Sequence, residues 1–327
     1  MKVLSGLIRF FKLKQSKNNK MSQKVIKIGT RDSELALWQA HTVQNKLHDL
    51  GYKTEIIAVK STGDLILDKP LYELGITGIF TKTLDIAMLK GEVDIAVHSM
   101  KDVPTALPIG IVQAAVLERA NTLDILVHKG NLDFLNLEGT IASGSLRRKA
   151  QWLNKYPSHK VEDLRGNVNT RMQKLKDNNW NGAIFAAAGL ERINLKPDTF
   201  LNLDWMIPAP AQGAMVVVAM EKDDFTKEAL AKLNHKESEI CTYIERQFLR
   251  TLEGGCTAPI GALAVKNGNL IEFQGVLFSL DGKEKYSIEK SCNFESYLNF
   301  GQECAKDILE NGAKPLMEKL RSELKVK

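Results

Sequence analysis

The run "MVVVAME", Met215–Glu221, constrains the fold of this chain more than any other stretch. It is short, β-branched and apolar, the pattern of a strand covered on both faces. The small-residue segment before it, "PAPAQGA" (Pro208–Ala214), offers it no obvious partner. An unpaired buried strand would leave its backbone N–H and C=O groups without hydrogen bonds. A return to a sheet begun much earlier in the chain solves this, and it requires the chain to cross twice between two units.

The earlier sequence supplies two such units. Lys24–Thr30 reads as a strand, Asp32 or Ser33 as the cap of a helix ending at Gly51, and Thr54–Lys60 as a second strand. Residues 61–79 are loop-like, and a helix over Phe80–Lys90 and an apolar strand over Gly110–Leu117 follow. Around Asn121 the pattern restarts. Asp124–Lys129, Thr140–Ser143 and Gly182–Ala187 read as strands, Leu146–Tyr156 and Val168–Asn178 as helices. The first α/β domain is therefore placed at 24–117 and 214–236, and the second at 118–213. The two crossings form a hinge, and the cleft beside it is a favoured place for a small-molecule site. From Lys236 the grammar changes. A helix over Ser238–Leu252 ends at Gly254-Gly255, Asn267-Gly268 and Asp281-Gly282 mark hairpins, and a closing helix runs from about Glu295. This is a small α+β domain, 237–327.

Composition bounds the partners. The 327 residues are 44% hydrophobic and 26% charged, ordinary for a globular chain. The net charge of +6 would suggest nucleic acid if it were spread over the fold. It is not: Lys2, Arg9, Lys12, Lys14, Lys17 and Lys20 lie in the first twenty residues with no acid, and removing them leaves 39 basic residues against 39 acidic. Residues 1–23 have three readings. A secretory signal is disfavoured by Arg9 and by the lack of a small-residue cleavage site, and a transit peptide by few Arg and Ser. A disordered extension with Met21 as the working start is the third. No run of about 18 apolar residues occurs, so no membrane span is expected. The cysteines at 241, 256, 292 and 304 form no CxxC pair and no zinc spacing, which points to a reduced, cytoplasmic compartment and no metal.

Chemistry concentrates in "DIAVHSMKDVP", Asp94–Pro104. Asp94–Val97 begins as a core strand, and His98, Ser99, Lys101 and Asp102 then follow within five residues. Ligands of α/β folds sit at the carboxyl ends of strands. Asp102 is either a cap for the turn before Pro104 or a carboxylate that holds a cation or donates a proton. Arginines gather where loops open onto helix starts: Arg31, Arg147, Arg148, Arg165 and Arg171, with Arg192 as a further candidate. Ser33, Ser143 and Ser145 stand beside them. Any single one could pair with a surface acid, but five repeating one loop grammar in both domains predict a polyanion cleft. Basic patches interleaved with exposed aromatics, as nucleic-acid binders show, are missing. Cys256 in "EGGCTAPIG" is either a small buried hydrophobe or a thiol whose glycines admit a bulky group.

Seven stretches in order resemble the porphobilinogen deaminase family: "GTRDSELALWQA", "STGD", "DIAVHSMKDVP", "GSLRRKAQ", "LRGNVNTR", "PAPAQGA" and "LEGGCTAPIGA". The resemblance runs from about Val25 to Gly312. It implies two α/β domains of the periplasmic-binding-protein type and a third domain carrying the cofactor. It also implies a transferase that condenses four porphobilinogen molecules head to tail, each losing ammonia, into hydroxymethylbilane. The family's dipyrromethane cofactor would be joined by a thioether to Cys256. Asp102 would face the pyrrole nitrogens, and Phe80 would lie beside the cofactor rings. Ser99, Lys101, Ser143, Ser145, Arg147 and Arg148 would hold the cofactor, and Arg31, Ser33, Arg165, Arg171 and Arg192 the substrate carboxylates. Porphobilinogen would be the partner, with no nucleic acid, no membrane and a monomeric state. One departure is Thr77 in "LYELGITGIFTK", where the family usually shows a lysine, and residues 1–23 match nothing in the family.

Two rivals share parts of this pattern. A non-enzymatic anion-binding protein would use the cleft and arginines but has no role for Cys256 or Asp102. A cysteine-dependent acyl-transfer enzyme would need a histidine near Cys256.

Overall fold

The computed structural model describes residues 24–59, 81–252 and 258–325. Three sheets organise them. The first contains β1 (Val25–Arg31), β2 (Lys53–Val59), β3 (Ile95–Ser99), β4 (Ile111–Val116) and β10 (Met215–Met220), in the order β2-β1-β3-β10-β4. β10 returns from the far side of the second sheet and lies antiparallel between β3 and β4, with Val217 opposite Val97 and Ala115. The partner that "MVVVAM" lacks nearby is thus more than a hundred residues upstream.

Alternation explains why both faces of this sheet are covered. Ile95 and Val97 of β3, with Val217 and Ala219 of β10, point into a core shared with α1 (Glu34–Asp49) through Ala40, Val43 and Leu47. Ala96, Val216 and Val218 point the other way, against Leu84 and Met88 of α2 (Lys82–Leu89). Each fully buried aliphatic side chain contributes about 1.5–3 kcal/mol relative to exposure.

The second sheet repeats the first. β5 (Asp124–His128), β6 (Thr140–Ala142), β7 (Lys160–Glu162), β8 (Gly182–Ala186) and β9 (Phe200–Asn202) run in the order β7-β6-β8-β5-β9, and β5 is the antiparallel strand in fourth place. Its helices are α3 (Leu146–Lys155), α4 (Val168–Asp177) and the short α5 (Ala187–Glu191). The two crossings run side by side. Ala120 N–H donates to the Gly213 carbonyl at 3.2 Å, and Leu117 N–H to that of Met215 at 3.1 Å. Gly213 has φ +85°, and a Cβ there would lie 2.6 Å from the Ala120 carbonyl oxygen, so only glycine lets the crossings approach this closely.

After α6 (Asp224–Ala231), the chain enters α7 (Lys236–Thr251). A three-stranded meander follows: β11 (Ile260–Asn267), β12 (Leu270–Phe278) and β13 (Lys285–Asn293). Asn267-Gly268 and the Asp281-Gly282 turn join these strands, as their sequences predict. The expected closing helix is instead two, α8 (Phe300–Ile308) and α9 (Lys314–Lys325), because Gly312 at φ +103° breaks the helical path. Phe248, Phe273 and Phe300 form the centre of this unit's core. The two α/β sheets and the third α+β unit agree with the expected fold class.

Candidate active site

β3 ends at Ser99 and passes at once into a 3-10 turn, Met100–Asp102. Met100 is buried and anchors the turn, which leaves Lys101 and Asp102 half-buried at the carboxyl end of a central strand. Arg246 of α7 grips the turn from behind. Its guanidinium donates to the carbonyls of Met100, Val103 and Pro104 at 3.2, 2.9 and 2.6 Å.

From the second sheet, α3 starts after Ser145, whose hydroxyl caps the Arg148 N–H. Gly144 precedes it because a Cβ there would lie 2.4 Å from the Leu164 carbonyl oxygen. Arg147 and Arg148 turn inward, only 4% and 6% exposed, onto Asp124 at the head of β5, which is fully buried. Arg147 Nη1 lies 2.7 Å from Asp124 Oδ2 and 2.8 Å from the Ile207 carbonyl. Arg148 Nε and Nη2 lie 2.9 and 2.7 Å from Asp124 Oδ1, and Nη1 donates to the Ile184 carbonyl at 3.0 Å. Burial pushes the Asp124 carboxyl up, but the two guanidiniums outweigh it and hold the group far below the usual carboxylate range.

Gln212 links this cluster to the first sheet. Its Nε2 donates to the Thr122 carbonyl at 2.8 Å and to Asp124 Oδ1 at 2.9 Å, and its Oε1 accepts from Lys101 Nζ at 3.2 Å. Burial pushes the Lys101 amine down to about 8, Arg148 adds to this, and Asp102 and Asp124 oppose it. Arg171, in the first turns of α4, is pushed down to about 10 by burial, with Arg148, Arg165 and Arg31 adding and Asp102 opposing. Its Nε is enclosed and has no hydrogen-bond partner among the described residues. Arg31, Lys101, Arg148, Arg165 and Arg171 therefore converge on one locality from both sheets, with Asp102 as the acid among them.

Other expected site residues have local partners. Ser99 accepts from Gln39 Nε2 at 2.8 Å, and Ser143 Oγ accepts from the Ser145 N–H at 3.3 Å. Ser33 stands at the N-cap of α1 but makes no side-chain cap bond. The open helix start expected at "LRGNVNTR" is occupied by Asn167, which accepts from the Thr170 N–H. Arg165 is 6% exposed, and burial lowers it while Asp163 opposes. Arg192 differs from the expected loop grammar: it closes the carboxyl end of α5 instead of opening a helix. Its Nη2 donates to the Gly213 carbonyl at 2.7 Å, and its guanidinium lies 5.6 Å from the Trp38 ring, so it braces the crossing. Phe80, Thr77 and Cys256 lie outside the described residues.

Three participants escape the sequence reading: Asp124, Gln212 and Arg246. Two carried a signal. Asp124 is an acid heading an apolar strand, and Gln212 is the polar side chain within "PAPAQGA". His98, 6% exposed, also has a side not visible from sequence. Its Nε2 has no hydrogen-bond partner among the described residues, and burial, then Arg31, pushes the imidazole down to about 4. It is neutral at pH 7.

Cations from both sheets around one carboxylate can hold a multiply anionic ligand while stabilising a positive centre within it. Comparisons with known proteins point the same way. Residues 26–228 match the family model described as "Porphobilinogen deaminase, dipyromethane cofactor binding domain", and 239–310 match "Porphobilinogen deaminase, C-terminal domain". The porphobilinogen deaminase of Syntrophomonas wolfei is 39% identical over 89% of this chain and 97% of its own. That of Campylobacter fetus is 41% identical over 90% and 98%, and the chloroplastic one of Oryza sativa 41% identical over 87% and 83%. With both family models matched in order and relatives this similar along nearly their whole length, the chain belongs to the porphobilinogen deaminase family, transferases that build hydroxymethylbilane from porphobilinogen and carry a dipyrromethane cofactor.

Proposed function

We propose that Asp102 is the catalytic carboxylate of the hydroxymethylbilane synthase reaction and that Cys256 carries the dipyrromethane. The observation that carries this reading is the placement of Asp102 at the end of β3 with Lys101 and Arg171 close enough to feel its charge. Loss of ammonia from porphobilinogen leaves a methylene-pyrrolenine cation. A carboxylate facing the ring nitrogens stabilises that charge as it develops, and it does so most strongly where water is excluded. Lys101, Arg31, Arg148, Arg165 and Arg171 hold acetate and propionate groups and orient the incoming ring.

The residues present fit the cofactor. A dipyrromethane built from two such pyrroles brings four carboxylates, and the enclosed Nε of Arg171, which has no partner among the described residues, is a donor suited to one of them. When bound, the dipyrromethane supplies the nucleophilic pyrrole carbon at which the chain grows. Arg147 and Arg148 both hold Asp124, so their first task is to shape the cofactor side of the cleft.

The domain division at 24–117 with 214–236, 118–213 and 237–327 belongs to this reading, supported by the sheet memberships. So does a cytoplasmic monomer, for which the free state of Cys241, Cys292 and Cys304 supports the reducing compartment. Intact mass tests the tether. The active protein should exceed its sequence mass by one dipyrromethane, and Cys256→Ser should lose both that excess and the activity. An active protein at bare sequence mass would sink the assignment.

A further inference from the structure

We propose that Gln212 is a positioning residue for Lys101: its side-chain amide carries the placement of the Asp124–Arg147–Arg148 cluster in the second sheet to the Lys101 amine in the first, and fixes that amine beside Asp102. The proposal rests on the reading of Lys101 as a holder of carboxylates.

A primary amide offers two N–H donors and one carbonyl acceptor. Both Gln212 donors are committed to groups that can only accept, the Thr122 carbonyl and the Asp124 carboxylate. Turning the amide over would set its oxygen against both, so Oε1 is held toward Lys101 Nζ. The rest of Gln212 is equally fixed. It is fully buried, its N–H donates to the Ala209 carbonyl at 2.8 Å, and its carbonyl accepts from Arg119 Nε at 2.8 Å. Lys101 is the opposite kind of group, a flexible four-carbon stem with a compact charge. Order therefore passes from the amide to the amine.

The charges around Lys101 make this acceptor consequential. Arg147 and Arg148 face it from α3, Asp124 from β5 and Asp102 from its own turn. Arg171 of α4 and Arg31 of β1 stand close by around Asp102. Gln212 Oε1 is a neutral acceptor within this group, so it stabilises the ammonium without adding a charge that would compete with substrate carboxylates. Without it, burial and Arg148 act on the amine with less opposition, the proton leaves at lower pH, and the grip on a carboxylate weakens.

Pulse acetylation of the holoprotein with acetic anhydride across a pH series, read at Lys101 by peptide mass mapping, tests this directly, because only the neutral amine reacts. The wild-type midpoint, measured on the same holoprotein, is the reference. In Gln212→Leu the midpoint should fall by about one unit or more, the effect of losing a hydrogen bond to a charged group. In Gln212→Glu it should rise. Opposite shifts cannot come from general loosening of the fold, and Gln212→Met, which keeps the length, replaces the leucine variant if that one does not fold. KM for porphobilinogen at pH 8 should rise roughly tenfold in Gln212→Leu with a smaller change in kcat. Identical Lys101 midpoints in wild type, Leu and Glu variants would overturn the proposal. A Lys101→Met variant with wild-type KM would instead overturn the role of Lys101 in substrate binding, and the labelling result still judges Gln212 by itself.

Discussion

Arg119 and Glu245 meet through two parallel hydrogen bonds, 2.6 and 2.9 Å long, with the Glu245 carboxylate fully buried. The pair joins the first crossing to α7. Glu245 also accepts from the Ala211 N–H in the return crossing and the Ala264 N–H in β11, at 2.6 and 2.7 Å. One carboxylate thus ties both crossings to the third sheet, and the next residue along α7, Arg246, holds the turn that carries Asp102. Removing one member of a buried pair leaves the other charged and uncompensated, which costs about 3–5 kcal/mol. Arg119→Ala should therefore lower the melting temperature by several degrees or more while leaving Asp102 chemically intact. Arg119→Lys should recover little, since an ammonium cannot make both parallel bonds. A variant melting like wild type would show that the crossings are not held together here.

The sequence carried the architecture further than the details of the site. Met215–Met220 was legible because a β-branched run with no local partner has few physical solutions. The edge strands β7 and β9 were not, since each is three residues long and, unlike the equally short β6, has no buried residue to mark it. Arg147 and Arg148 were visible as charges at a helix start. What they hold was not, because Asp124 lies more than twenty residues upstream and meets them only once β5 and α3 pack. Arg192 failed as a helix-start residue because the helix before it is five residues long and its end, not its beginning, faces the crossing.

His98 predicts a pH dependence of stability with a definite sign. Burial and the Arg31 charge hold its imidazole near 4 in the folded protein, against about 6.5 when unfolded. Between these values the unfolded chain binds a proton that the folded one does not, so stability falls as pH drops from 6.5 toward 4. Above pH 6.5 the contribution is complete. His98→Asn should flatten this part of the profile, measured as melting temperature at intervals of pH. Asp124 does not cloud the comparison, because its depressed carboxyl contributes the same pH dependence in wild type and variant. Parallel profiles for wild type and variant would show that His98 titrates as an ordinary histidine.

Arg171 and Arg148 should respond to truncation in opposite ways. Each guanidinium nitrogen of Arg148 already has a contact to Asp124 or the Ile184 carbonyl, so Arg148→Ala strips a buried carboxylate of a partner and should destabilise the fold by about 3 kcal/mol. Arg171 sits among Arg148, Arg165 and Arg31 with Asp102 opposing them, and its Nε has no hydrogen-bond partner among the described residues. Arg171→Leu should leave the melting temperature unchanged or raise it, while weakening substrate binding about tenfold to a hundredfold, the value of a lost charge-assisted hydrogen bond. Melting curves and KM for both variants decide the matter. Equal destabilisation of the two would mean that Arg171 supports the fold and is not kept for a ligand.

Asp102 separates a catalyst from a turn cap. If its negative charge stabilises the methylene-pyrrolenine cation, Asp102→Asn keeps the shape and an accepting oxygen but removes the charge. Turnover should then fall by on the order of a hundredfold or more, as when one aimed electrostatic contact is lost. Asp102→Glu keeps the charge on a longer arm and should retain more activity than the amide. A cap would behave in reverse, because asparagine caps about as well as aspartate and the longer glutamate does not. The turn itself makes no demand on the carboxylate for its hold on the core, since Met100 is buried and Arg246 binds the flanking carbonyls. Both variants should accordingly melt within a degree or two of wild type, so a loss of turnover can be assigned to chemistry. Hydroxymethylbilane formation and melting temperature, measured together, give the answer: an Asn variant with normal turnover, or one whose loss follows unfolding, reduces Asp102 to a structural residue.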